Sequence, residues 1–180
     1  MELSEGVAAM TETNIVKNKK TRELVIERAI DAPVNLVWQG WTLREHIANW
    51  WGPNAWTTTI YEMDVRPQGT WRYSLHADAD PTNKTWCKAV YHDVVEASRL
   101  VYTDSFTDPN GNVEPGTEMP TTVTFTSDGK KTNVVVCTQF TSLSALDAAE
   151  QNGMIDGYVE TLARLESHVE TYTWSNADGR

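Results

Sequence analysis

Residues 27–53 read ERAIDAPVNLVWQGWTLREHIANWWGP, and this stretch decides the fold. It begins as the end of an alternating segment. In TRELVIERAI (21–30), Leu24, Ile26, Arg28 and Ile30 share one side and Val25, Glu27 and Ala29 the other, which predicts a strand. Asp31-Ala32-Pro33 stops that strand and suits a helix start, with Pro in the first turn. Val34, Val37, Trp38 and Trp41 then recur at helical spacing. A second short helix is predicted over residues 43–50, with Thr42 as N-cap and Glu45 closing a capping box. Gly52-Pro53 ends it. Trp50 and Trp51 are adjacent, and adjacent residues on a helix or strand do not share a face. One apolar face cannot hide both rings, so a second environment is required. The spacing of Trp50 from Ile47 places it on the helix's buried side and favours Trp51 for the mouth of a pocket.

Downstream, the pattern turns to strands. WTTTIYEMDV (56–65), TWRYSLHA (70–77), TWCKAVYHDVVE (85–96), RLVYTDSF (99–106), PTTVTFT (120–126) and KTNVVVCTQF (131–140) are rich in β-branched and aromatic residues. They are joined by turn-forming runs at hairpin spacing and predict an antiparallel meander. From about Ser144 to Tyr172 the period becomes helical. Met154, Tyr158, Leu162, Leu165 and Val169 form one stripe, while Glu160, Arg164, Glu166 and Glu170 lie largely away from it. Gly153 and Gly157, four apart near the start, are read as fraying or close packing in preference to room left at a cavity mouth. Residues 1–20 are polar and read as a flexible leader, residues 21–172 as a single domain, and 173–180 as a tail. The predicted architecture is α+β: a curved seven-stranded antiparallel sheet wrapped on a long C-terminal helix, with two short helices after the first strand. One helix cannot fill such a sheet everywhere, so a gap is expected at one end.

Charge and composition exclude several functions. The 25 acidic and 15 basic residues give a formal charge of −10, a field that repels nucleic acid and anionic membranes. No apolar run approaches a membrane span, and MELSEGVAAMTETN has no apolar signal core, so a cytoplasmic location is expected. Cys87 and Cys137 make no disulfide framework and are expected as free, poorly reactive thiols on strands that are not neighbours.

Several of these stretches resemble a known family. Ala32-Pro33, the Val37-Trp38…Trp41-Thr42 run, Trp50-Trp51-Gly52-Pro53, MDVRPQGTWRY (63–73), VYHDVVEASRLVYTD (90–104) and the Gly153-Met154…Gly157-Tyr158 pair are similar to motifs of homologues of the activator of the heat-shock-protein-90 ATPase. These belong to the START-like, SRPBCC helix-grip superfamily, and the resemblance covers about residues 22–170. It implies a helix-grip fold with a hydrophobic cavity between sheet and long helix. It does not imply one activity, since superfamily members bind lipids and hormones and some cyclise polyketides. Gln68 stands where the first of two paired glycines is usual, and Tyr158 where tryptophan is common.

The chemistry-bearing residues form no recognised catalytic motif. His46, His76, His92 and His168 are not paired at helical spacing, and no cysteine or carboxylate spacing completes a metal site. Asp64 and Arg66 are read as an ion pair at a strand end, with a catalytic acid at Asp64 as the lesser reading. No cofactor and no catalytic set are assigned. The aromatic excess is the stronger signal, because Trp and Tyr carry polar groups that a pure core serves poorly. Trp51, Trp56, Trp71, Tyr73, Tyr102, Met119, Phe125, Met154 and Tyr158 are the candidate ligand-contacting residues. The leading expectation is a module that binds a small apolar or aromatic molecule. The alternatives are a polyketide-cyclase-like enzyme and a co-chaperone that stimulates an ATPase, with the chaperone partner resting on the family name; a homodimer is left open.

Overall fold

A computed structural model describes the backbone of residues 13–177 and the side chains of residues 13–172. Strands β1 (Thr13–Asn18) and β2 (Glu23–Ile30) precede two short helices, α1 (Val34–Thr42) and α2 (Arg44–Trp50). Strands β3 (Trp56–Met63), β4 (Thr70–Ala77), β5 (Thr85–Val95), β6 (Arg99–Thr107), β7 (Met119–Asp128) and β8 (Lys131–Gln139) follow. Helices α3 (Leu143–Gln151) and α4 (Met154–Ala177) close the chain. All pairings are antiparallel, in the order β1-β2-β8-β7-β6-β5-β4-β3. The sheet is curved but not closed. Register shifts between Ile60 and Glu62 and between Tyr91 and Asp93 mark bulges, which bend a strand and raise its local twist.

The sheet therefore has eight strands rather than seven. The additional strand, β1, comes from the stretch expected as a leader; residues 1–12 lie outside the described residues. The last helix reaches Ala177, past the expected end at Tyr172. Two further expectations change. The capping box is absent: Leu43 is the N-cap of α2, and Thr42 instead donates its hydroxyl to the Trp38 carbonyl at 2.8 Å. The C-terminal helix is also divided. Asn152 caps α3, and Gly153 turns the chain with φ +82°, a conformation open to glycine and costly for other residues.

Four tryptophans, Trp41, Trp50, Trp51 and Trp71, lie in the core. Helix α4 presents Leu162, Leu165 and Val169, all buried, to α1, α2 and β2. Trp41 meets Trp50 edge-on at 4.9 Å and Trp51 at 5.6 Å. The adjacent pair is hidden because the helix ends between its members. Trp50 is the last residue of α2, and its indole N–H donates to the Gly40 carbonyl at 2.9 Å. Trp51 is already extended (φ −67°, ψ 128°), and its ring meets that of Trp50 edge-on at 5.5 Å while reaching Trp71 at 5.0 Å. Glu166, expected to face solvent, is instead largely covered and pairs with Arg28 at 3.5 Å.

The Gln68 substitution has a structural meaning. Its φ of +67° is left-handed, where a Cβ crowds the backbone, and its N–H donates to the Tyr91 carbonyl at 2.7 Å. Gly69 follows because a Cβ there would collide with the Asp64 carbonyl. Gln68→Gly is expected to stabilise the fold by about 1 kcal/mol, the cost of a side chain in that conformation. Urea denaturation of the two proteins checks it, and a loss of stability would contradict it.

Candidate functional site: a pocket between the sheet and the helix break

Because α4 packs toward α1, α2 and β2, one end of the sheet's inner face is left over. A partly open pocket of about 500 Å³ occupies that space. Its floor is built by β4, β5 and β6, where Tyr73, Leu75, Cys87 and Asp104 face inward. Its roof is the α3–α4 break: Ala145, Ala148 and Ala149 on one side, Met154, Gly157, Tyr158 and Thr161 on the other. Trp51, Gly52, Pro53 and Trp56 wall one side, with Phe106 and the segment 116–119 also lining it. The small residues are as informative as the large ones. A Cβ added at Gly153 or Gly157 meets nothing within 4 Å, so these glycines hold no close contact. Close packing is therefore excluded at both positions: Gly153 breaks the helix, and Gly157 lines the pocket.

Of the nine candidate residues, Trp51, Trp56, Tyr73, Met119, Met154 and Tyr158 come together around the pocket. Trp71, Tyr102 and Phe125 do not line it. Trp71 is fully buried behind Trp51 and stacks on Tyr73 at 4.5 Å. Tyr102 is buried beside Trp71 and Tyr91. Phe125 packs between Trp38 at 5.3 Å and Trp41 at 6.0 Å. Asp64 lies away from the pocket in an exposed ion pair with Arg66, 2.6 Å apart, which is the ordinary reading of that pair.

The pocket-wall loop at Trp51 is fixed from both sides. Thr58 donates its hydroxyl to the Trp51 carbonyl at 2.5 Å. Arg164 of α4 donates to the carbonyls of Gly52 at 2.7 Å, Pro53 at 3.0 Å and Asn49 at 3.1 Å. Glu160, one turn earlier, accepts from the Asn54 N–H at 2.8 Å. Both residues lie on the polar side of the helical pattern, yet they hold the loop carrying Trp51 against the long helix.

The sequence reading missed the pocket's central polar residue, Asp104. It is buried on β6 and lines the floor. Its Oδ2 accepts the Tyr73 hydroxyl at 2.6 Å, and its Oδ1 accepts the Ser105 N–H at 3.0 Å. Burial pushes the carboxyl up to about 6, while the Tyr73 and Ser105 hydrogen bonds act the other way. The same burial, with the Asp104 charge adding to it, raises Tyr73 and Cys87 well above their ordinary ranges. Tyr158 is raised too, by burial first and then by Asp104. All three are therefore neutral at physiological pH. The Tyr102 hydroxyl lies near Tyr158 but makes no hydrogen bond of good geometry.

Both cysteines are free; β5 and β8, which carry them, are separated by β6 and β7. His46 and His168, unpaired by sequence spacing, meet across the fold with Nδ1 and Nε2 2.9 Å apart. Burial, then the neighbouring His46, holds His168 below its ordinary range. Among the described residues, no group of three or more His, Cys, Asp or Glu side chains could hold a metal ion. None of the described helices is long and apolar enough to cross a membrane.

The family model described as activator of Hsp90 ATPase homolog 1-like protein matches residues 31–170. The chain belongs to this family. The model covers α1 through most of α4, and with them every element that builds the pocket. The fold of this family member is shared with solved proteins of low identity. The Ms6760 protein of Mycobacterium smegmatis is 22% identical with a TM-score of 0.79, over 87% of this chain and 96% of that one. A Staphylococcus epidermidis protein is 26% identical with a TM-score of 0.78, over 88% and 94%. DynU16, from the dynemicin biosynthetic locus, is 19% identical with a TM-score of 0.62, over 83% of this chain and 48% of that one. No curated protein matches the chain.

Proposed function

We propose that this family member encloses a small apolar or aromatic molecule in the pocket beside the helix break. The observation supporting the reading is the pocket itself. Its volume of about 500 Å³ falls in the range of small-molecule sites. Its lining follows their usual form, apolar and aromatic with a few convergent polar groups. The residues proposed to touch the ligand are Trp51, Trp56, Tyr73, Met119, Met154 and Tyr158, with Asp104 as the polar contact. The setting proposed is the cytoplasm, where free Cys87 and Cys137 would stay reduced.

Asp104 favours one second reading, a polyketide-cyclase-like enzyme. A cyclase needs a titratable group inside the cavity where the reactive chain folds, and a carboxyl poised near neutrality can exchange protons at working pH. The biosynthetic-locus origin of DynU16 belongs to that protein, and its likeness to this chain carries the fold alone. A chaperone partner would rest on the family name alone.

Native mass spectrometry of the protein purified from its own host tests the leading reading. The expected result is a bound small molecule that is lost from Gly157→Phe, whose ring would fill the pocket. Stability of that variant should not fall, since glycine in a helix interior is worse than other residues by up to about 1 kcal/mol. Release of a product of changed mass during incubation would move the assignment to the cyclase. An adduct that survives in a folded Gly157→Phe would place binding elsewhere.

A further inference from the structure

The charges around the pocket are one-sided. Among the described residues, the lining includes two carboxylates, Asp104 on the floor and Glu118 just before β7, and no lysine, arginine or histidine. An anionic ligand would meet no counter-charge there and would bring its own charge beside a buried carboxylate. Asp104 is the opposite case. Its Tyr73 and Ser105 contacts occupy one direction on each oxygen, while an ionised carboxylate has about four acceptor sites. A buried carboxylate held by neutral donors alone is costly and gains most from a cation. Aromatic rings close to it, Tyr73 and Tyr158 with Trp51 beside both, offer faces that also attract a cation.

The geometry points to a ligand of one class: an apolar or aromatic body carrying a single protonated amine, with the ammonium on Asp104 and the body against the pocket's aromatic wall. This rests on the reading of the pocket as a ligand site and adds the ligand's charge to it. The titratable groups that influence or are influenced by Asp104 are Tyr73 from β4, Cys87 and Tyr91 from β5, Tyr102 from its own strand and Tyr158 from α4. All are acids held above their ordinary ranges, so none changes charge near neutrality, and Asp104 alone among them titrates there. Glu118 adds a second negative charge to the lining without opposing the cation.

Three probes of one shape test this by isothermal titration calorimetry: 1-naphthylmethylamine, 1-naphthylmethanol and 1-naphthoic acid. At about pH 8 the amine is expected to bind about 10-fold or more tighter than the alcohol, the scale of a hydrogen bond to a charged group, and the acid more weakly than either. The advantage of the amine over the alcohol should shrink by several-fold at about pH 5, where Asp104 is largely protonated. It should also collapse in Asp104→Asn. If the amine binds no tighter than the alcohol in the wild-type protein, the charge assignment is overturned while the pocket stands. If none of the three binds, both the pocket reading and the inference built on it fall. Should the preference persist unchanged in Asp104→Asn, the ammonium lies elsewhere and the assignment to this carboxylate is overturned.

Discussion

Trp71→Ala is expected to destabilise the protein by about 3–5 kcal/mol, the range for truncating a buried large aromatic residue. From sequence alone this residue reads as a pocket wall, whose loss should affect binding more than stability. Its surroundings reverse that expectation. Trp71 is completely buried, stacked on Tyr73 at 4.5 Å and met edge-on by Trp51 at 5.0 Å and Tyr102 at 6.2 Å. Truncation would open a cavity behind the pocket floor and remove the support of two lining rings. Chemical denaturation checks the magnitude. A loss below about 1 kcal/mol would mean the site relaxes freely, unlike a packed core.

Asp104→Asn is expected to change stability in opposite directions at low and high pH. Folding raises the carboxyl from 3.8 to about 6. The folded protein therefore holds a proton that the unfolded chain releases at lower pH. The stabilisation this gives is fully present below about pH 4 and is lost as pH rises through about 6. The difference amounts to about 3 kcal/mol at 1.36 kcal/mol for each pH unit. Asparagine carries no such dependence. It also cannot accept from both Tyr73 and Ser105, because its NH2 has no acceptor capacity whereas both oxygens of the acid keep some even when protonated, which costs about 1 kcal/mol. The variant should be less stable than wild type at about pH 4 and more stable by about 2 kcal/mol at about pH 8. Urea titrations at the two pH values measure this. Protonation of His168 is common to both proteins and drops out of the comparison to first order. A variant that is less stable by the same amount at both values would show that burial does not raise Asp104.

The features legible in the sequence were those with a strong period. Strands β2 to β8 and the Leu162, Leu165 and Val169 stripe are half-buried elements, and burial of one face writes itself into the residue pattern. β1 was illegible because it is an edge strand that needs only β2 as partner. Its residues, TNIVKN, leave Ile15 and Val16 exposed and show no buried alternation. The α3–α4 break depends on one residue's backbone angle at Gly153, and the helical period continues past it. Within the site, aromatic content pointed to the right region but could not separate the layer touching the pocket from the layer behind it. Trp71 and Tyr73 share a strand face, yet the Trp51 ring packs against Trp71 and leaves only Tyr73 lining the pocket. Asp104 did leave a signal. Leu100, Tyr102 and Asp104 occupy successive inward positions of β6, and a carboxylate in the inward phase of a strand is a buried charge.

The central claim is that the space beside the helix break is a binding pocket rather than a packing defect. Nile red, neutral and environment-sensitive, tests it by fluorescence titration of wild type and Gly157→Phe in parallel. The account predicts saturable binding at one site with a blue-shifted emission in wild type, weakened at least about 10-fold in a variant that unfolds at the same or higher urea concentration. Equal binding by the two proteins, or none by wild type, would contradict it.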